Sequence, residues 1–241
     1  TRDPSEHQAE LLKGNPYHFA PAQYKLAALN AILKQLFNQP ASVHFEHCQH
    51  YLSGQLGWEN WHNIGVQGLC DLAARIKEQD NAKLLASALP NIPMQVLEPL
   101  SAALENQLLP QSVADILAQL IKSESDNNKR NCYIRAVASS LSNDHVYQSL
   151  ERILQAKTQV TIDTLVLLVG RCWPIIANNL NTMAFLEHLA SHNNQAQFIA
   201  LFQDAIAIPV LRPTLLTSIR NPERSTALAR AVGALFSQVK S

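Results

Sequence analysis

The chain has little glycine and lacks the dipeptides that favour tight β-hairpins. Only 7 of its 241 residues are glycine, and neither Asn-Gly nor Asp-Gly occurs anywhere in the sequence. Two-residue hairpins need positive backbone φ angles that these dipeptides adopt readily. Their absence argues against a β-rich fold, and the abundance of alanine and leucine favours helices instead.

The chain also lacks an excess of charge and any long apolar run. It has 19 basic and 19 acidic residues, so nucleic-acid binding is not favoured as its main role. Residues 1–120 carry 7 basic and 11 acidic groups, whereas residues 121–241 carry 12 and 8. We interpret the two halves as ordinary solvated surfaces, with a basic C-terminal face for an acidic partner as the alternative. No stretch of 18 apolar residues occurs, so the sequence predicts no membrane span.

Cysteines are few and widely spaced, and familiar catalytic motifs are missing. Cys48, Cys70, Cys132 and Cys172 form no C-x-x-C pair, which predicts buried thiols in a reducing, cytoplasmic compartment. The chain has no G-x-S-x-G elbow, P-loop or G-x-G-x-x-G motif. We therefore predict no cofactor and no catalytic residue. Because the sequence begins without Met, we expect it to be a fragment of a longer chain.

Apolar triplets at positions i, i+3 and i+4 recur along most of the sequence, and this spacing places three side chains on one helical face. The first series is Leu69/Leu72/Ala73, Leu100/Ala103/Leu104, Ile134/Val137/Ala138, Leu165/Leu168/Val169, Phe198/Leu201/Phe202 and Leu228/Ala231/Val232. A second series falls between these triplets: Leu85/Ala88/Leu89, Leu117/Leu120/Ile121, Leu150/Ile153/Leu154, Leu186/Leu189/Ala190 and Leu215/Ser218/Ile219.

Two interleaved series of similar period predict antiparallel helix pairs that stack to share a core. The predicted fold is all-α, a short HEAT-like α-solenoid, and the alternative is an irregular multi-helix bundle. We assign residues 58–241 to the stack, with about five and a half helix pairs. Residues 1–57 are predicted to form N-terminal helices that pack on the stack or cap it, within one continuous domain.

Several local patterns predict where individual helices lie. Near the N-terminus we expect a short helix over residues 5–13, an aromatic linker over 15–21, and a helix ending at Phe37. The apolar stripe of this last helix is Leu29, Ile32, Leu33 and Leu36. The β-branched run 160–169 is interpreted as a fully buried helix. Ser112 and Asp115 resemble a capping box, and Asn221-Pro222 predicts a final helix over about 222–239.

The segment from His44 to His62 concentrates residues that can bind metals. Candidate metal ligands are His44, His47, Cys48 and Glu59, with Glu46 nearby. His44 and Cys48 share one helical face, but His50 lies about 120° away from His44. One helix therefore cannot easily bring His44, His47 and His50 to the same ion. We predict that the segment is structural and holds no metal. An enzyme or metal-binding protein using these residues is the alternative.

Two tryptophans lie within the same segment, at a spacing of three residues. Trp58 and Trp61 are predicted to be core contacts that lock helices together, and if exposed they would form a partner surface. The residues proposed for such a surface are His50, Trp58, Glu59, Trp61, Arg220 and Arg224.

Parts of the sequence resemble a family of uncharacterised proteins from marine γ-proteobacteria of the Vibrio and Shewanella type. The resemblance rests on residues 50–61, Gly68, Ala74-Arg75, residues 15–17, residues 170–173 and residues 209–216. This family is defined only as a domain of unknown function. The resemblance implies no activity, cofactor or catalytic residue.

The function that these patterns favour is a non-catalytic protein–protein interaction or scaffold module. Stacked helices expose long surfaces that bind peptides or proteins, and no catalytic motif competes with this interpretation. The expected partner is another protein or a peptide, and the sequence does not define the oligomeric state.

Overall fold

The computed structural model describes residues 23–78 and 80–238. Within these ranges the chain forms thirteen α-helices, two 3₁₀ helices and no β-strand, so the all-α prediction is confirmed. The predicted helix over 5–13 and the aromatic linker over 15–21 lie outside the described residues, as does Val239.

The α-helices are α1 (Gln23–Leu36), α2 (Phe45–Leu52), α3 (Val66–Ala74), α4 (Asn81–Ala88), α5 (Met94–Leu104), α6 (Gln111–Ser123), α7 (Asn127–Ala136), α8 (Asp144–Leu154), α9 (Ile162–Arg171), α10 (Asn179–Ser191), α11 (Gln195–Ala207), α12 (Arg212–Ser218) and α13 (Thr226–Gln238). The 3₁₀ helices are Trp58–Asn63, between α2 and α3, and Trp173–Ile176, between α9 and α10.

Each helix packs on the helix two positions further along the chain, and this produces two layers. The odd layer runs from α1 through α3, α5, α7, α9 and α11 to α13, and the even layer runs from α2 through α4, α6, α8 and α10 to α12. Contacts such as α2 on α3, α6 on α7 and α11 on α12 join the layers. This arrangement is a solenoid-like all-α fold, in which neighbouring helix pairs share one core.

The two apolar series of the sequence correspond to the two layers. The first series lies on α3, α5, α7, α9, α11 and α13 or just after them, and the second lies on α4, α6, α8, α10 and α12 or just after them. Nearly all of these side chains are buried, and Leu120, Ala138 and Ile153 are half-buried against the same core. The predicted apolar stripes are therefore confirmed as the surfaces on which the layers meet.

Polar contacts within each layer repeat at the same interval as the apolar stripes. Gln49 Nε2 donates to Asn81 Oδ1 at 2.7 Å, and these residues are 32 positions apart. Thr164 Oγ1 donates to the oxygen of a residue 33 positions earlier, Asn131 Oδ1, at 2.7 Å. These hydrogen bonds satisfy polar groups at the helix contacts. They join α2 to α4 in the even layer and α7 to α9 in the odd layer.

The predicted apolar stripe of α1 is wrong in orientation. Leu29, Ile32, Leu33 and Leu36 are all exposed, and α1 packs on α3 through Ala27 and Ala31 instead. Since α1 lies at the start of the odd layer, it has a neighbour in that layer on one side only among the described residues. Two alanines allow the close approach to α3, where larger side chains would hold the helices apart.

Three predicted helix details are also wrong. The final helix begins at Thr226 instead of Pro222, and the Ser225 hydroxyl accepts a hydrogen bond from the Leu228 amide at 3.1 Å. Ser112 lies inside α6, which begins at Gln111 without a side-chain cap. The run 160–169 does form a helix from Ile162 onward, but Val166 is 51% exposed, so this helix is not fully buried.

A buried ion pair fixes the loop between α1 and α2 to α3. Asp71 Oδ1 lies 3.5 Å from the guanidinium of Arg75, and Asp71 Oδ2 accepts the Ser42 amide at 3.0 Å. Arg75 Nη2 donates to the Gln39 carbonyl at 2.9 Å. These contacts cross position 57, where we separated the N-terminal helices from the stack. The boundary at this position stays a prediction. Within the described ranges, no helix is long and apolar enough to cross a membrane.

Candidate functional site

The histidine-rich segment places its polar side chains at the surface. His44 directly precedes α2, and His44, Glu46, His47 and His50 are all exposed. Cys48 is buried. The predicted candidate ligands are therefore divided between solvent and core. In the described part of the chain, no three His, Cys, Asp or Glu side chains form a group that could hold a metal ion.

Cys48 is a packing residue between α2 and α3. A side chain at Gly68 would come within 3.1 Å of Cys48 Cβ and within 2.6 Å of the His44 carbonyl oxygen, so only glycine permits this close approach of the two helices. Burial raises the pKa of the Cys48 thiol to about 12, and the charge of Asp71 adds to the effect. A thiol held in this protonated form is a poor nucleophile and a poor metal ligand.

The two tryptophans have different environments. Trp58 is half-buried against the core, its ring meets the Tyr51 ring edge-on at 5.5 Å, and its carbonyl accepts the Tyr51 hydroxyl at 2.9 Å. Trp61 is 37% exposed and contacts the His62 ring. Trp58 therefore stabilises the turn after α2, while Trp61, Glu59 and His50 remain at the surface.

The C-terminal arginines lie at the opposite end of the stack. Arg220 is exposed in the turn after α12, and Arg224 donates to the Asn221 carbonyl at 3.1 Å. Since α2 is the first helix of the even layer and α12 the last, the six residues proposed as a partner surface form two separate patches.

A groove crosses three helices in the middle of the odd layer. Its volume is about 540 Å³, and side chains of α5, α7 and α9 line it. Its apolar part is formed by Met94, Val166 and Leu167, and its polar part includes Glu98, Asn128, Asn131, Arg135 and Asp163. Val166 is 51% exposed in this groove.

A cluster of charged residues, Glu105, Arg135 and Arg171, lies beside the groove at the C-terminal ends of the same helices. Glu105 Oε2 accepts Arg135 Nε at 2.6 Å and Arg171 Nε at 3.2 Å. The hydrogen bond to Glu105 raises the pKa of Arg135 above its usual range, and Tyr24 of α1 adds to the shift. The hydrogen bond from Arg171 to Glu105 thus joins the C-terminal ends of α5 and α9 across α7, which packs between them.

The groove offers the chemistry of a polypeptide-binding surface. Thr164 Oγ1 donates to Asn131 Oδ1 at 2.7 Å, which orients the Asn131 amide so that its Nδ2 can donate to a ligand carbonyl. Glu98 and Asp163 are exposed on opposite sides of α7 and can pair with a basic side chain. The groove thus combines an apolar contact, amide groups and acidic borders.

Sequence patterns gave only an indirect signal of this site. Glu105 lies 30 positions before Arg135 and 66 before Arg171, which is close to one and two periods of the helix pairs. A search for charged residues at multiples of that period could have found the cluster. We missed it because these three residues are isolated in the sequence and resemble ordinary surface charges.

The layers and the groove define a class of protein: an all-α chain of stacked helix pairs with a groove in one of its two layers. The family model for proteins of unknown function, DUF3549, matches residues 1–236. The chain therefore belongs to this family, and the expectation of a domain of unknown function is confirmed. An origin in marine γ-proteobacteria stays a prediction. No curated protein and no solved structure gives a significant match to this chain.

Proposed function

We propose that this protein is a non-catalytic interaction module that binds an extended segment of another protein in the α5–α7–α9 groove. The observation that carries the proposal is the exposed Val166 in the lining of a groove that also has amide and acidic groups. An apolar side chain exposed in a concave surface is unfavourable in water and is typical of a binding site.

The groove also suggests what the bound segment contains. One apolar side chain would contact Met94, Val166 and Leu167, and its burial would supply part of the affinity. The amides of Asn128 and Asn131 can both donate to and accept from an extended backbone. Glu98 and Asp163 favour a basic residue beside the apolar one. We therefore propose a ligand segment with one apolar residue next to lysine or arginine.

A selection with random peptides displayed on phage tests this proposal. We expect the enriched peptides to share an apolar residue beside a basic one. The substitution Val166→Asp should weaken their binding at least about tenfold, because it places a charge in the apolar part of the groove. Val210→Asp is the matched control, since Val210 is 56% exposed and lies outside the groove, between α11 and α12.

Circular dichroism should show that both variants remain folded, because both valines are exposed. The proposal would be abandoned if no peptide were enriched, or if Val166→Asp and Val210→Asp bound the selected peptides equally well.

The buried state of all four cysteine thiols supports a further part of the proposal, that the protein works in a reducing, cytoplasmic compartment.

A further inference from the structure

A second, smaller pocket lies where the end of α6, the start of α7 and the loop after α8 meet. Its volume is about 250 Å³. Three charged side chains line it, Lys122 from α6, Arg130 from α7 and Arg152 from α8, and all three are cationic. The pocket is separate from the α5–α7–α9 groove, whose lining includes none of these residues.

The Arg130 guanidinium is held in a fixed orientation. Its Nη1 donates to the Glu124 carbonyl oxygen at 3.4 Å, and its Nη2 contacts Asn127 Oδ1. Its Nε is buried without a hydrogen-bond partner. These contacts position the group but leave its charge uncompensated, because both acceptors are neutral. A half-buried cation of this kind is costly unless an anion accompanies it.

The other two cations also lack a carboxylate partner. Among the described residues, none of the ion pairs within 4.0 Å includes Lys122, Arg130 or Arg152. The nearby carboxylate of Glu124 lies 3.9 Å from Lys129 instead. Three like charges therefore line one small pocket, where each of them would attract the same anion.

Helix dipoles explain only part of this arrangement. Lys122 and Arg152 lie in the last turns of α6 and α8, where a cation is favourable because each helix end carries about half a negative charge. Together, the C-terminal ends of α6 and α8 offset about one of the three positive charges. The remaining charge in a pocket of this size matches a small anion, and the Ser149 and Thr158 hydroxyls that also line the pocket can donate to its oxygens.

We propose that this pocket binds a small oxyanion, such as the phosphate group of a small metabolite, through Lys122, Arg130 and Arg152. An oxyanion there would accept charge-assisted hydrogen bonds from all three side chains and compensate the charge of the half-buried Arg130. This site is independent of peptide binding in the groove.

Titration of the purified protein with inorganic phosphate, followed by isothermal calorimetry at constant ionic strength, tests the proposal. We expect saturable binding to one site and a rise in Tm with phosphate concentration. Glycerol 3-phosphate and succinate, used as parallel probes, distinguish a phosphate monoester from a carboxylate as the preferred anion. The variants Lys122→Gln and Arg152→Gln should each weaken phosphate binding about tenfold through the loss of one charged donor.

Arg220→Gln is the control, because it removes an exposed arginine at the far end of the even layer and should leave phosphate binding unchanged. Lys122 and Arg152 are exposed, so their variants should fold normally. The proposal fails if phosphate, glycerol 3-phosphate and succinate all lack saturable binding, or if Arg220→Gln weakens binding as much as Arg152→Gln does.

Discussion

The start of the stack and its middle are stabilised in different ways. Helix α1 has only Ala27 and Ala31 buried, and exposes leucines on its opposite face. Helix α7 packs on α5, α6 and α9 and buries Tyr133 and Ile134 completely. In the middle of the stack, large apolar side chains fill the space between helices. At the start, small residues and the buried Asp71–Arg75 pair hold the chain together.

This difference follows from position in the stack. A helix with neighbours on both sides can bury a wide apolar stripe, whereas α1, among the described residues, meets a neighbour of its own layer on one side only. The polar contacts of Asp71 then matter more, because they attach the loop after α1 to the body of the stack. We expect substitutions at the two regions to separate these contributions.

The largest expected effect is at the start of the stack. Asp71→Ala removes the buried partner of the Arg75 guanidinium and leaves the Ser42 amide without its acceptor. Arg75 keeps the Gln39 carbonyl at 2.9 Å and the Glu78 carboxylate at 3.8 Å. We expect the free energy of unfolding, measured with urea, to fall by about 3–5 kcal/mol. Asp80→Ala is the control, because the Asp80–Lys83 pair is fully solvated, and it should change stability by about 1 kcal/mol or less. Equal effects of the two variants would show that burial of the Asp71 pair is unimportant.

A smaller expected effect distinguishes apolar packing in the two regions. Leu117→Ala, at a position of α6 that is fully buried, should lower the free energy of unfolding by about 2–5 kcal/mol through lost burial and a cavity. Leu29→Ala, on α1 where the side chain is 54% exposed, should change it by about 0.5 kcal/mol or less. A large loss of stability in Leu29→Ala would mean that the leucine face of α1 is covered in solution.

The smallest expected effect depends on pH and concerns the contact between α6 and α8. Although burial opposes the charged form of Asp115, hydrogen bonds from His145 and Asn143 lower its pKa below the ordinary value of 3.8. A lowered folded-state pKa stabilises the fold above pH 3.8, and this contribution is lost as the pH falls through the folded-state value.

We therefore expect the wild type to be more stable than Asp115→Asn at neutral pH, and the difference to shrink below about pH 4. Urea denaturation of both proteins across this range measures the change. The interpretation is contradicted if the difference between the two proteins is the same at pH 3 and pH 7.

Apolar periodicity predicted the order of the helices well, because burial of a stripe depends on local spacing. The triplet Leu165/Leu168/Val169 identified α9 despite its β-branched residues. Helix ends were predicted less well. Asn221-Pro222 has the residues of a helix start, yet the helix begins at Thr226, where Ser225 supplies the cap. Several polar residues can cap a helix, and tertiary packing decides which one does.

The sequence analysis missed most residues of the candidate sites, because tertiary packing decides which side chains meet. The segment 44–62 attracted attention because its His and Trp residues are adjacent in the sequence, but the structure separates Cys48 from the exposed histidines. Glu105, Arg135 and Arg171 are far apart in the sequence and meet only because helices α5, α7 and α9 lie side by side. The same holds for Lys122, Arg130 and Arg152.

The sequence by itself determined that this protein is helical, that its helices alternate between two series, and which faces of most helices are buried. These properties depend on the spacing of apolar side chains within a few turns of helix, and that spacing can be counted along the chain. Only the tertiary structure decided that α1 turns its leucines outward, where the groove lies, and which charges meet. Those outcomes depend on how neighbouring helices approach and curve, and residues one or two helix pairs apart decide them together.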